Sequence, residues 1–226
     1  MPVSGSPFRG IIFDFDGTLA VPALDFQEMN RAAVNAVQAL LPVCPPKTGP
    51  ALEWLVEVEK AATAQKGAEF AAKVRSAADA AMARVEIAAA KRGGLFPGVP
   101  EMLRLLLERK IKTGIITRNC TRAVQTALGD NVRLFTCILS RDDVSEWKPH
   151  PAHLRAALKS MELAPECALM IGDDPMDILV GQKCNTRTAA VFCGHVPKET
   201  LLACKPDFVA ESCPELMRGL ADAGLL

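Results

Sequence analysis

The sequence predicts an α/β protein: a doubly wound parallel sheet with a helical domain inserted into it. Three observations carry this. An apolar β-forming run, Ile11-Ile12-Phe13, stands alone near the start and stops on the acids Asp14 and Asp16. A stretch rich in Ala, Glu, Lys and Arg follows, all strong helix formers. From Phe96 onward, strand-like and helix-like segments alternate at the spacing of βαβ units.

The elements follow in order. Residues 10–15 read as a buried strand, since the run is apolar on both faces. Leu24 to Leu41 is amphipathic and reads as a helix, ended by the Pro-rich break PVCPPKTGP at 42–50. No proline follows until Pro97, and only Gly67 interrupts the helix formers before Gly93-Gly94, which predicts three or four helices. After FPGVP a helix runs through MLRLLLERK, then a strand over 112–117, a helix from Thr121 to Leu128 and a strand over 136–140. Pro149 and Pro151 punctuate a loop before a helix from Ala152 to Met161. The strand ALMIGD closes on Asp173, a helix covers 175–184, and RTAAVF and DFVA supply the last strands. The first strand has no partner within the helical stretch, so it belongs to the later sheet. This makes residues 21–95 an inserted helical cap domain and residues 1–20 and 96–226 the α/β core.

At 226 residues, half of them hydrophobic and 23% charged, the chain has a globular composition and can bury a large core. Its formal net charge of zero argues against a nucleic-acid surface. MPVSGSPFRG lacks the apolar core of a signal peptide, and no apolar run reaches membrane-spanning length, so no membrane partner is expected and the chain reads as cytoplasmic. The eight cysteines form no CxxC pair and no zinc-like cluster with the three histidines, as expected of reduced core thiols. Cys120 is placed near a helix start beside Arg118, where a thiol pKa falls, although neighbouring acids oppose that effect.

Polar residues gather at the predicted strand ends. Asp14 and Asp16 close the first strand, and Gly17 lets the chain turn into Thr18. Thr117 closes another strand, with Arg118 and Asn119 expected to open the next helix and form an anion cradle. Lys148 sits in EWKPHP, and GDDPMD places Asp173, Asp174 and Asp177 after Gly172. Open α/β sheets expose ligand sites at the C-terminal ends of their strands. Acids that meet there with one lysine call for something positive among them, and a Mg²⁺ ion with a phosphate would satisfy the set.

DFDGT, Thr117, Lys148-Pro149 and GDDPMD, in that order, resemble the four motifs of the haloacid dehalogenase superfamily, with a Rossmann-like core and a helical type 1 cap. The resemblance implies a Mg²⁺-dependent phosphatase acting on a small phosphorylated metabolite such as phosphoglycolate or a sugar phosphate. It makes Asp14 the nucleophile, forming an aspartyl phosphate, and Asp16 the general acid and base. The Asp14 and Asp173 carboxylates and the Asp16 main-chain carbonyl would hold Mg²⁺. Thr117 and Lys148 would hold the phosphoryl group, with Arg118 and Asn119 beside it, and Asp177 would orient Lys148. Asp174 is either a supporting partner of the metal or a surface residue. Dehalogenases and phosphonatases of this superfamily lack an acid where Asp16 stands. A phosphomutase of the β-phosphoglucomutase type shares the core acids, although nothing in residues 21–95 specifically resembles its cap. A phosphorylated signalling receiver or a non-catalytic binding protein is the alternative from another class.

Overall fold

The computed structural model describes residues 7–226. Residues 1–6, part of the segment read as lacking a signal sequence, lie outside the described residues. Strand β1 (Gly10–Phe13) is followed by three helices, α1 (Phe26–Leu40), α2 (Ala51–Lys66) and α3 (Ala68–Gly93). The alternating part runs α4 (Val99–Glu108), β2 (Lys112–Ile116), α5 (Thr121–Leu128), β3 (Cys137–Leu139), α6 (Pro151–Ser160), β4 (Ala168–Gly172) and α7 (Pro175–Lys183). It ends with β5 (Arg187–Val191), α8 (Lys198–Ala203), β6 (Phe208–Ala210) and α9 (Cys213–Asp222). The strands form one six-stranded parallel sheet in the order β3-β2-β1-β4-β5-β6.

The isolated first strand therefore lies at the centre, with Phe13 paired in register to Ile115 on one side and Ile171 on the other. The chain winds outward from β1 to β3, then returns and winds outward to β6. The reversal falls at β1 and β4, where such folds open a crevice. Alternation along the strands feeds two layers. Ile11, Phe13, Ile115 and Ile171 face α4 and α9 through Leu103, Leu106, Leu216 and Leu220. Ile12, Ile116 and Met170 face α6 and α7 through Leu154, Leu158 and Val180. Each such side chain contributes about 1.5–3 kcal/mol on burial, which explains why β1 carries no polar residue.

The described chain divides into two compact units, residues Ala23–Arg92 and the remainder. In the helical unit, Asp25 caps α1 by accepting the N–H groups of Gln27 and Glu28. Gly67, at φ 85°, stops α2 before α3 begins. The three helices bury Val37, Trp54, Leu55, Val74 and Met82, and residues 51–92 form two long helices with that single break. In the α/β unit the two crossing segments run side by side: Ala20 bridges Leu95, and the Val21 N–H donates to the Gly94 carbonyl at 3.0 Å. No disulfide joins any of the eight cysteines. Among the described residues no helix is long and apolar enough to cross a membrane.

Candidate active site

The C-terminal ends of β1, β2 and β4 and the loop after β3 bring Asp14, Asp16, Thr117, Lys148, Asp173 and Asp177 together within the α/β unit. β1 ends at Phe13, two residues sooner than the sequence suggests, so both acids belong to a tight turn rather than to the strand. The Phe15 carbonyl accepts from Leu19 and Ala20, and Gly17 turns the chain at φ 82°. A Cβ at Gly17 would overlap the Asp173 carboxylate, and one at Gly194, in the loop after β5, would do the same. Two backbones thus close around Asp173 with no room for a side chain. Thr18 Oγ1 donates to Asp173 Oδ1 at 2.7 Å, fixing the carboxylate from a third side.

Two thiols hold the same turn from behind. Cys193 donates to the Gly17 carbonyl at 3.1 Å and Cys213 to the Thr18 carbonyl at 3.4 Å. Burial pushes the Cys193 thiol up to about 11 and Cys213 well above its ordinary value, so both remain S–H donors.

The loop after β2 differs from expectation. Arg118 and Asn119 do not open a helix, since α5 starts at Thr121 with Cys120 at its N-cap. The nearby N–H groups are already engaged by side chains. Asn119 N–H donates to Thr117 Oγ1 at 3.0 Å, Cys120 N–H to Asn119 Oδ1 at 2.8 Å, and Thr121 N–H to Asp142 Oδ2 at 2.8 Å. These three N–H groups are therefore taken by side-chain oxygens. Asn119, expected beside the phosphate, donates its amide to both oxygens of Asp16, at 3.2 and 3.0 Å. Arg118 is half-buried, with its guanidinium 4.0 Å from Met176 Sδ. Its carbonyl accepts from the buried Arg141 guanidinium at 3.0 Å. Cys120 is buried, so it lacks the exposure that an oxidant-sensitive thiol requires.

Lys148 is buried, and its Nζ lies 2.6 Å from both Asp14 Oδ1 and Asp177 Oδ1. Burial alone would lower the ammonium, but the two carboxylates override it and hold Lys148 above its usual range. Asp177 turns its other oxygen to the Asp174 N–H at 3.3 Å. Asp174 caps α7 by accepting the Met176 N–H at 2.9 Å, completing a reciprocal capping box. Capping α7 is a role that the sequence reading did not assign to Asp174. Burial first, then the Asp14 carboxylate, push Asp173 up to about 7.

Asp14, Asp173 and Asp177 each present an oxygen within 4.8 Å of the others. Three carboxylates face one ammonium. Because Lys148 already occupies Asp177, the remaining oxygens of Asp14 and Asp173 suit a hard cation.

His153 is the neighbour that sequence reading missed. Fully buried on α6, it accepts the Lys148 N–H at Nδ1 (3.2 Å), while Nε2 lies 3.0 Å from the Leu139 carbonyl. Its five-residue spacing from Lys148 across a proline loop was the only available signal. Burial and the Lys148 charge lower its pKa from 6.5 to about 4, against the Leu139 carbonyl and the Asp14 and Asp143 carboxylates. A histidine held below its unfolded value contributes fully to stability above pH 6.5, and that contribution is lost as pH falls toward 4. The gap is worth roughly 3 kcal/mol. Urea unfolding from pH 7.5 to 4.5 should show this slope in the wild-type protein and about one proton less of it in His153→Phe. Equal slopes would mean the imidazole is not held neutral.

A family model described as haloacid dehalogenase-like hydrolase matches residues 11–191. The chain is 36% identical over 126 residues to a pyrophosphatase, PpaX, of Bacillus cereus, a match covering 55% of this chain and 58% of that relative. Among solved structures, it resembles a predicted phosphoglycolate phosphatase from Haemophilus somnus, with a TM-score of 0.65 and 19% identity over 93% of this chain and 97% of that one. It also resembles CbbY from Rhodobacter sphaeroides in complex with phosphate, with a TM-score of 0.63 and 22% identity over 92% and 96% of the two chains.

Proposed function

The chain belongs to the haloacid dehalogenase-like hydrolases, and on that premise we propose that it is a Mg²⁺-dependent phosphatase. It hydrolyses a small phosphate monoester through an aspartyl phosphate on Asp14. One observation carries the reading: the buried Lys148 ammonium sits 2.6 Å from Asp14, in a turn whose second acid, Asp16, is held separately by Asn119.

An anionic nucleophile and a phosphate dianion repel each other, so the barrier falls only if positive charge is in place before they meet. Lys148 supplies one such charge, and Asp177 keeps its ammonium aimed. Thr117, whose Oγ1 accepts the Asn119 N–H, keeps its hydroxyl proton for a phosphoryl oxygen. An Asp14 oxygen forms the bond to phosphorus as the ester oxygen leaves, and that alkoxide takes its proton from Asp16. Asp16 then removes a proton from the water that opens the aspartyl phosphate, which releases phosphate and restores Asp14. Asp14, Asp173 and the main-chain carbonyl of Asp16 would hold Mg²⁺, with Thr18 orienting Asp173. A bound Mg²⁺ would supply the remaining neutralisation of phosphoryl charge.

The substrate is a small phosphorylated metabolite. Arg118 follows Thr117 directly and would receive a second anionic substituent of the substrate. The inserted helical segment, residues 21–95, has the role that the family resemblance implies, a cap that excludes water during the reaction.

The purified protein should release phosphate from p-nitrophenyl phosphate with Mg²⁺, lose this activity in EDTA, and be supported poorly by Ca²⁺, which prefers more ligands at longer distances. X-ray scattering of the same protein with Mg²⁺ and beryllofluoride should show a more compact particle. Full activity after exhaustive chelation with metal content checked would sink the metal assignment. A panel including pyrophosphate, phosphoglycolate and sugar phosphates would fix the substrate class.

A further inference from the structure

We propose that His153 is a positioning residue that joins the two phosphoryl-holding segments of the site, acting through the Lys148 main chain and the Leu139 carbonyl. The assignment rests on the phosphatase reading of Lys148 and Thr117.

The geometry is a four-group chain. Lys148 N–H donates to His153 Nδ1 at 3.2 Å, and Nε2 of the same ring lies 3.0 Å from the Leu139 carbonyl. That carbonyl also accepts the Thr117 N–H at 3.0 Å. Because Nδ1 is engaged as an acceptor, the ring proton must sit on Nε2, where it can be donated to Leu139. One neutral tautomer therefore ties the loop carrying Lys148 to the end of β3, and through it to Thr117. No other ring tautomer satisfies both partners, and an imidazolium would set an N–H against the Lys148 N–H.

The connection matters because of what Lys148 must do. Its backbone lies in a loop after a three-residue strand, and a lysine stem has four rotatable bonds. Asp14 and Asp177 fix the ammonium, but they do not fix the main chain from which it reaches. His153 does this from the opposite end, on a helix packed into the core through Leu154 and Leu158. It touches neither the reacting atoms nor the carboxylates expected to hold metal. Its loss should therefore weaken phosphoryl binding and turnover together while sparing metal binding.

Three variants of the full chain separate the possibilities. His153→Phe keeps the ring volume and removes both bonds. His153→Asn offers an acceptor near the Nδ1 position, and His153→Gln a donor near Nε2. A shift of about 1 Å in a group that positions substrate costs up to about 100-fold. His153→Phe should therefore lose kcat/KM by about 10–100-fold with p-nitrophenyl phosphate, raise Ki for inorganic phosphate by about tenfold, and leave the Mg²⁺ concentration for half-activation unchanged. His153→Asn should recover most of the loss and His153→Gln less. In the wild-type protein, ¹⁵N NMR of the ring should show a neutral Nε2–H tautomer at pH 7.

The proposal is overturned if His153→Phe matches wild type in kcat/KM and phosphate Ki, or if Phe and Asn are equally impaired, which would mean that the acceptor at the Nδ1 position is not what supports the site. Should His153→Phe fail to fold, the wild-type spectrum decides, an Nδ1–H tautomer or an imidazolium being the contrary result. A wild-type protein that releases no phosphate from any substrate fails the phosphatase reading, and the tautomer then still reports on the hydrogen-bond chain.

Discussion

Asp14→Asn should give a folded protein with turnover reduced by more than about a thousandfold. The amide keeps the shape, and its carbonyl oxygen can still face Lys148 Nζ, which lies 2.6 Å from the carboxylate now. The nucleophilic charge and one oxygen available to a cation are lost. Removing the nucleophile of a covalent enzyme costs up to about 10⁶-fold in kcat, with the residue of activity coming from binding alone. Steady-state kinetics with p-nitrophenyl phosphate, alongside a thermal melt, measure this. Retention of more than about a tenth of wild-type kcat, a loss under about 1.4 kcal/mol, would mean that no bond to Asp14 forms.

Asp16→Asn should cost about 10²–10⁴-fold, the usual contribution of a general acid and base. The loss should depend on the leaving group. An alkoxide needs its proton during departure, whereas p-nitrophenolate does not, so single-turnover phosphorylation should suffer far more with an alkyl phosphate. Breakdown of the aspartyl phosphate should slow equally for both, because the same water is activated each time. The substitution also sets one amide against another, since Asn119 donates to both Asp16 oxygens and only one acceptor would remain. Equal losses for good and poor leaving groups in the first step would remove Asp16 from the acid role.

Much of this arrangement is legible in the chain because it is written in local patterns. An apolar run that stops on two acids marks a buried strand meeting a crevice, since unpaired charge cannot continue into the core. The shift from helix formers to alternating strands and helices marks the inserted segment, and a strand stranded before it must pair elsewhere. Strand alternation then assigns Ile11 and Phe13 to one layer and Ile12 to the other.

Partner choice is a different matter. Thr117 and Asn119 have the residue types of a helix N-cap, and the sequence offered no reason to look beyond that. In the structure α5 starts at Thr121, where the helical pattern places it, and Asp142 from the loop after β3 accepts its first N–H. Asn119 is thereby left in the loop, where β1 brings Asp16 within reach of its amide. Asp174 and Asp177 look alike as acids in one motif, yet the start of α7 makes one a cap and turns the other toward Lys148.

The sequence by itself determined the sheet, the place of the inserted helices, and the residue types that meet at the strand ends. These follow from periodicity and from the cost of burying charge, both readable over a few residues. Only the tertiary structure decided which groups touch: Lys148 with Asp14, Asn119 with Asp16, His153 with Lys148 and Leu139, and the Cys193 and Cys213 thiols with the turn at Gly17 and Thr18. A hydrogen bond of about 3 Å depends on strand order, register and loop path together, and none of these is recorded in the residues that form it.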